Sequence, residues 1–324
     1  MDVNVIYNSE CRLGLKCLPE NSVNCCITSP PYYGLRDYGN DEQIGLEATP
    51  EEYIGKLVEV FREVRRVLTN DGTLWVNIGD SYAGSMKGAA QFPDNAMNYK
   101  QGTNRGTLGK ATLVKQCTNC KPKDLIGIPW MLAFALRADG WYLRQDIIWS
   151  KPNPMPESVR DRCTKSHEYI FLLSKSRLYY FDADAIKVPA RESTMRRIRQ
   201  DVDNQVGSSR TLKANGNMKA VIGGRKRNFS DMTEDDPMYR ASTNREYEYT
   251  DKANKRSVWV VSTSAFHDAH FAVFPPALIV DCIKAGCPED GVVLDPFMGS
   301  GTTAIVSRKL NRNYIGFEIN KDYV

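Results

Sequence analysis

Short apolar segments alternate with amphipathic helical segments along most of this 324-residue chain. Residues 23–28 (VNCCIT) form an apolar run of strand length, and residues 49–68 place apolar side chains at helical spacing behind a threonine cap. Near the C-terminus, residues 291–297 predict a strand, residues 302–310 a helix and residues 314–320 another strand. Strands that alternate with helices favour a parallel sheet with right-handed crossovers. The sequence therefore predicts an α/β fold with a doubly wound sheet covered by helices on both faces.

The central part of the chain continues this alternation. Residues 70–72 (Asn-Asp-Gly) predict a turn that separates the helix at 49–68 from a strand beginning at residue 73. A further helix is predicted at residues 128–140, and it is followed by predicted strands at 141–151 and 167–176.

Two polar stretches interrupt the pattern. Residues 84–123 contain seven Lys or Arg against one acid, and residues 188–256 contain 15 Lys or Arg against 10 Asp or Glu, although the whole chain carries only +4. Basic charge concentrated on an otherwise neutral body indicates binding to a polyanion, and a solvated disordered loop is the alternative. These boundaries predict one domain made of residues 1–187 and 257–324, with a loop insert at 84–123 and a larger insert at 188–256.

Composition also predicts where the protein works. No apolar segment reaches the roughly 18 residues of a membrane helix, and the N-terminus lacks a signal-peptide pattern. We therefore expect a cytoplasmic protein whose nine cysteines are reduced thiols. Cys117 and Cys120 form a CxxC pair, but a structural zinc ion normally takes four ligands. We interpret the pair as loop thiols and assign no metal.

A Ser-Pro-Pro-Tyr sequence, residues 29–32, directly follows the apolar strand at 23–28. The two prolines fix their own φ angles, remove two N–H donors and bias Ser29 toward an extended conformation. We call residues 29–32 the rim, because the sequence predicts a stiff segment at the end of the strand.

A second motif joins a strand to a helix through glycines. The strand ends at Asp295, a turn containing Gly299 and Gly301 follows, and a helix begins near Thr302. The next strand ends at Glu318, roughly 20 residues past the turn, where doubly wound folds place an acid that holds ribose hydroxyls. The spacing matches neither GxGxxG nor a phosphate-binding loop with its lysine. It indicates an adenosine-containing cofactor without a pyrophosphate.

Together, TSPPY at residues 28–32 and DPFMGSGTT at residues 295–303 resemble the amino-group DNA methyltransferases, which modify cytosine N4 or adenine N6. The resemblance extends to NVIYNSECRLGLKCLPENSVNCCITSPPY, GTLWVNIGD and IIWSKPNPMPESVRDRCTKSHEYIFLLSK, which lie outside the two inserts. A catalytic motif that precedes the cofactor motif is the order of the family's beta class. The resemblance implies a Rossmann-like methyltransferase sheet with circularly permuted motif order and an inserted target-recognition region.

The resemblance also implies a catalytic role for the rim on double-stranded DNA. The Ser29 hydroxyl and the Pro30 carbonyl would accept the two N–H groups of the target amino group, with Pro31 keeping the segment rigid. Tyr32 would stack on a base swung out of the duplex, and Tyr33 would widen that platform. Family members acting on cytosine N4 usually carry serine before the prolines, so Ser29 favours cytosine N4 over adenine N6.

S-adenosylmethionine is the cofactor that the resemblance implies. Asp295 would hold its methionyl amino group, Thr302 its carboxylate, and Glu318 its ribose hydroxyls. Glu10 occupies the place of an adenine-edge contact, although the family pattern has Gly-Asp where this chain has Ser9-Glu10. The full predicted cofactor set is Glu10, Asp295, Phe297, Gly299, Gly301, Thr302 and Glu318.

The insert at 188–256 takes the place of the family's target-recognition region. Its predicted DNA contacts are Arg196, Arg197, Arg199, Arg225, Lys226 and Arg227. The resemblance implies a monomer or homodimer that works beside a separate restriction endonuclease. Two alternatives remain open at this point: methylation of RNA or of a protein amide, and a non-catalytic DNA-binding module.

Overall fold

The computed structural model describes residues 1–35, 40, 42–84, 117, 119–198, 251–263 and 274–323. The chain divides into two units, one made of Met1–Ile186 with Arg256–Val324 and the other of Lys187–Lys255. The larger unit contains strands β1 (Val5–Asn8), β2 (Val23–Thr28), β3 (Leu68–Ile78), β4 (Tyr142–Ser150), β5 (His167–Ser174), β8 (Val258–Val260), β9 (Val292–Asp295) and β10 (Asn313–Glu318). Its helices are α1 (Cys11–Lys16), α2 (Pro50–Val67), α3 (Ile128–Ala138), α5 (Pro276–Gly286) and α6 (Thr302–Lys309). The smaller unit contains β6 (Val188–Pro189), α4 (Glu192–Ile198) and β7 (Lys252–Ala253).

The central sheet has eight strands in the order β1–β10–β9–β2–β3–β5–β4–β8. The five strands from β1 to β3 in this order are parallel to one another. Strand β5 runs antiparallel to both β3 and β4, and β8 is parallel to β4. The predicted α/β fold with a mostly parallel sheet is therefore confirmed, with β5 as its reversed strand.

Helices cover both faces of the sheet, as predicted. One buried cluster joins the sheet to α1, α2 and α3. A second cluster joins the opposite face to α5 and α6. Because both faces of the sheet are covered, the central strands β2 and β3 are buried along most of their length instead of alternating between buried and exposed residues.

Helix α2 begins where the sequence predicts it. The Thr49 hydroxyl accepts the N–H of Glu52, and the Glu52 carboxylate accepts the N–H of Thr49. This reciprocal pair satisfies two N–H groups that the first helical turn leaves free.

The turn predicted at residues 70–72 is wrong. The helix ends at Val67, and β3 starts at Leu68 without an intervening turn. Leu68 pairs with Val23 and Thr73 pairs with Cys25, so residues 69–72 lie opposite Asn24 alone. The extra residues form an irregularity inside β3. The Asn-Asp-Gly sequence lies at this irregularity, not between a helix and a strand.

Strand β8 forms the sheet edge next to β4, and the sequence did not predict this strand. It contains three residues, and the side chains of Val258 and Val260 are exposed while Trp259 is buried. So short a segment gives too little periodicity to be identified from sequence.

The expectation that all cysteines are reduced is wrong for one pair. Cys117 and Cys120 are joined by a disulfide, whereas Cys25, Cys26 and Cys282 are buried free thiols. Among the helices in the described ranges, none combines the length and the apolar character needed to cross a membrane.

Gly286 and Gly55 give a matched pair for testing the packing. A Cβ atom on Gly286 would lie 2.5 Å from Nε1 of Trp75 and 2.8 Å from Oγ1 of Thr73, in the core beneath α5. We expect Gly286→Ala to lower the free energy of unfolding in urea by about 1–3 kcal/mol, because the core is overpacked. A Cβ on Gly55 of α2 meets no atom of the described residues within 4 Å, so Gly55→Ala is expected to raise stability by about 0.5–1 kcal/mol. Equal effects at the two sites would contradict this account of the core.

Candidate active site

A cleft opens where the parallel strands β2, β9 and β10 end. The four predicted catalytic residues of the rim, Ser29 to Tyr32, line it. It is also lined by four of the predicted cofactor residues: Glu10, Phe297, Gly299 and Glu318. The structure thus brings the two sequence motifs to one place, at the carboxyl edge of the sheet where α/β proteins bind ligands. We call this space the active cleft.

Helix α2 holds the rim from behind. The hydroxyl of Tyr53, a buried residue of α2, donates to the carbonyl oxygen of Pro31 at 2.7 Å. Within the described residues, no donor reaches the carbonyl oxygen of Pro30. The rim therefore presents one carbonyl that is already bonded and one that is available to accept.

Tyr32 is fixed at its hydroxyl end. The hydroxyl donates to Oε2 of Glu168 at 2.7 Å. Burial, reinforced by the charge of Glu168, raises the pKa of Tyr32 well above its usual value. The phenol therefore stays protonated and acts as a donor, while its ring lines the active cleft.

Tyr33 does not widen the platform, so that prediction is wrong. Its side chain is 1% exposed, and its hydroxyl donates to the carbonyl of Ala48. Its ring packs against Tyr53 with 5.5 Å between the ring centroids. The chain turns after Tyr32, so the second tyrosine points into the core instead of the cleft.

The turn between β9 and α6 depends on its glycines. Gly299 and Gly301 have φ angles of +54° and +83°, a region that side chains with a Cβ seldom adopt. Oε2 of Glu318 accepts the N–H of Gly299 at 2.8 Å, and Gly301 occupies the N-cap of α6. Glu318 therefore holds the glycine turn in place and also lines the active cleft.

Asp295 is almost completely buried, at 1% exposure. Its two carboxylate oxygens accept hydrogen bonds from the hydroxyls of Thr28 and Thr303, each at 2.6 Å, and Oδ1 also accepts the N–H of Phe297. Burial raises the pKa of Asp295 to about 6, helped by the charge of Glu318 and opposed by these donors. A contact from this carboxylate to a methionyl amino group stays a prediction. Thr302 is likewise buried.

Glu10 caps the first helix at the other side of the active cleft. Oε2 accepts the N–H of Leu13 and Oε1 accepts Nε of Arg12 at 2.8 Å. Burial alone would raise the pKa of Glu10, but these hydrogen bonds, chiefly from Arg12, together lower it. The cleft therefore carries an ionised carboxylate at this position.

The family model N6_N4_Mtase, described as DNA methylase, matches residues 23–324. The chain belongs to this DNA methylase family. The resemblance predicted from TSPPY and DPFMGSGTT is thereby confirmed.

Related DNA methylases match along nearly the whole chain. The sequence is 42% identical over 322 residues to the type II methyltransferase M.SmaI of Serratia marcescens, covering 98% of this chain and 87% of that protein. It is 43% identical over 323 residues to the type II methyltransferase M.Cfr9I of Citrobacter freundii, covering 98% and 84%.

Solved structures share the fold. The cytosine-N4-specific PvuII DNA methyltransferase superimposes with a TM-score of 0.59 at 17% identity, over 98% of this chain and 82% of that chain. A DNA modification methylase from Thermus thermophilus, solved with S-adenosyl-L-methionine, gives a TM-score of 0.52 at 20% identity, over 97% and 87%.

The predicted DNA-contacting residues of this methylase fall mostly outside the described residues. Arg199, Arg225, Lys226 and Arg227 lie there, and the side chain of Arg197 does too. The side chain of Arg196 on α4 is 74% exposed and lies 3.9 Å from Glu192. Their role in binding DNA stays a prediction.

Sequence reasoning missed several residues of the active cleft. The hydroxyl of Ser300 is buried in the glycine turn and has no hydrogen-bond partner among the described residues. Gln43, Ile44 and Tyr323 also line the cleft. The unpaired hydroxyl is a signal for a polar ligand that only the structure gives, whereas the other three lie in segments without a motif.

The pKa of Asp295 predicts a pH dependence of stability. Its folded-state pKa of about 6 is higher than the usual aspartate value of 3.8, so the folded state binds this proton more tightly than the unfolded state. Between these two values, protonation of Asp295 favours folding as the pH falls. We expect the melting temperature of the wild type to rise relative to that of Asp295→Asn when the pH is lowered from 7 to 5. Parallel pH profiles for the two proteins would show that Asp295 titrates normally.

Proposed function

We propose that this DNA methylase transfers a methyl group from S-adenosylmethionine to the exocyclic N4 amino group of cytosine in duplex DNA, with the target base flipped out of the helix. The observation that carries the proposal is the convergence of the rim and the glycine turn on one cleft. Adenine N6 is the runner-up target. A protein amide or an RNA base is less well supported, because the chain belongs to a DNA methylase family.

The rim supplies two acceptors for the target amino group. An exocyclic amino nitrogen is conjugated with its ring and is a poor nucleophile until its lone pair turns toward the methyl donor. Acceptors that hold both N–H groups in fixed directions favour that geometry in the transition state. The hydroxyl of Ser29 and the carbonyl of Pro30 take these roles, because the carbonyl of Pro31 already accepts from Tyr53.

The residues of the active cleft fit S-adenosylmethionine. Among the described residues, the hydroxyl of Ser300 has no partner and offers a polar contact, and none of their atoms lies within 4 Å of a Cβ built on Gly299, which leaves room beside the turn. Glu318 would hold the ribose hydroxyls, Glu10 the adenine edge, and the N-terminus of α6 the carboxylate. When bound there, the cofactor supplies a methyl group on a sulfonium ion. Phe297 would pack against its apolar atoms.

The choice of base rests on Ser29. A hydroxyl both donates and accepts, so it is able to accept an N–H from either base, but serine before the prolines is the usual residue of cytosine-N4 enzymes. The insert at 188–256 would select the DNA sequence through its arginines, which match phosphates and guanine edges. We further propose that the enzyme works in the cytoplasm beside a separate restriction endonuclease.

Replacing Ser29 tests the catalytic assignment. Ser29→Ala removes one acceptor of the transition state, so we expect methyl transfer to fall by at least about 10- to 100-fold. Cofactor affinity, measured by calorimetry, should stay unchanged because the glycine turn is intact. Ser22→Ala is the matched control, since that hydroxyl donates to the Pro19 carbonyl at the opposite end of β2. Full turnover by Ser29→Ala would remove this residue from the mechanism.

The methylated base is identified directly. Purified protein is incubated with labelled S-adenosylmethionine and mixed-sequence duplex DNA, and the nucleosides are then digested and analysed by mass spectrometry. We expect N4-methylcytosine. N6-methyladenine would instead establish the runner-up, and the absence of any methylated base would overturn DNA as the substrate.

A further inference from the structure

The carboxylate of Glu168, at the start of β5, gathers three donors from different parts of the fold. Oε2 accepts the hydroxyl of Tyr32 at 2.7 Å and lies 3.3 Å from Nδ2 of Asn77. Oε1 pairs with the ammonium group of Lys151. The side chains of Glu168 and Lys151 are only 15% and 17% exposed, so these bonds form largely out of contact with water.

Lys151 is itself held in place. Its Nζ lies 4.2 Å from the centroid of the Trp149 ring, which attracts a cation through the ring face. The ion pair compensates the charge that burial would otherwise make unfavourable. The ion pair holds Oε1 of Glu168, and Oε2 faces the Tyr32 hydroxyl.

The Tyr32 ring is also confined along its length. A Cβ atom on Gly79 would lie 2.7 Å from Cε2 of Tyr32, so the glycine at the end of β3 is what makes room for the ring. The main chain at the other end is held by the bond from Tyr53 to Pro31 and by the N–H of Leu35, which donates to the carbonyl of Tyr32. The side chain is thus fixed at both ends and presents its remaining surface to the active cleft.

We propose that Glu168 is a positioning residue, which through the Tyr32 hydroxyl holds the ring in the plane on which the flipped base stacks. The proposal rests on the proposed function, because Tyr32 needs a defined plane only if it receives a base. Lys151 serves the same end by keeping Glu168 oriented. A phenylalanine in place of Tyr32 would keep the stacking surface but lose the anchor.

A double-mutant cycle separates positioning from a general structural role. The variants are Tyr32→Phe, Glu168→Gln and the combination, assayed for kcat and KM with unmethylated genomic DNA. If Glu168 acts through the hydroxyl, Tyr32→Phe lowers kcat/KM for DNA about 10-fold, as expected for the loss of one hydrogen bond to a charged group. Glu168→Gln lowers it less, about 5-fold, because the amide oxygen still accepts the hydroxyl but without a charge. The double variant should then be no slower than Tyr32→Phe alone, because without the hydroxyl the side chain at position 168 has nothing left to hold.

Two controls accompany the cycle. Glu157→Gln removes the charge from another ion pair, in which Arg162 lies 2.6 Å from Glu157, and it should leave kcat/KM within about twofold of the wild type. The affinity of each variant for S-adenosylmethionine should equal that of the wild type, since none of the changes touches the glycine turn. A loss of cofactor affinity in Glu168→Gln would mean that the change disturbs the fold, and would overturn the positioning role.

The outcomes are distinct. Multiplied losses in the double variant would show that Glu168 acts independently of the hydroxyl and would overturn the proposal. Full activity of Tyr32→Phe would overturn it even if Glu168→Gln did not fold. Wild-type protein that methylates no DNA would instead overturn the proposed function, and the positioning role would fall with it.

Discussion

The buried carboxylate of Asp295 connects the two segments that build the active cleft. Thr28, the last residue of β2, and Thr303, in the first turn of α6, donate to its opposite oxygens. Thr28 and Asp295 are 267 positions apart in the chain, so no local interaction sets their spacing. Because burial raises the pKa of this carboxyl, its charge is tolerated only with these donors in place. The rim and the glycine turn are thus held in register through one side chain.

The parallel sheet makes that connection possible. Strand β2 lies directly beside β9, and both end at the same edge. In a doubly wound sheet the ligand site forms at the carboxyl ends of such neighbouring strands. Which of the two strands comes first in the chain has no effect on their adjacency. The rim near the N-terminus and the glycine turn near the C-terminus therefore line one cleft, while a long insert lies between them in sequence.

Much of this could be predicted from the sequence, because the relevant signals are local. Apolar runs predict the strands, and the prolines and glycines predict where each strand ends in a special conformation. The positions of the two neighbouring tyrosines could not be predicted in this way. Tyr32 lines the cleft and Tyr33 is buried, and this difference depends on the course of the chain after the rim. The pairing of Lys151 with Glu168 also depends on the hairpin of β4 and β5, which a single sequence does not specify. Asn70–Gly72 shows the reverse case: the strong turn signal lies inside β3, at the irregularity where residues 69–72 face Asn24 alone.

Rigidity explains why the rim is held by so many separate contacts. A backbone carbonyl orients an amino group only if the carbonyl itself does not turn, and the two prolines remove the main freedom of rotation. Tyr53 then binds the Pro31 carbonyl, and the neighbouring Pro30 carbonyl, which we propose as the acceptor, has its direction set by this fixed neighbour. Glu168 fixes Tyr32 in the same way, through a bond remote from the surface that faces the cleft. Each group that would meet the base is therefore held by a contact on its other side, so that binding the base requires little rearrangement of the protein.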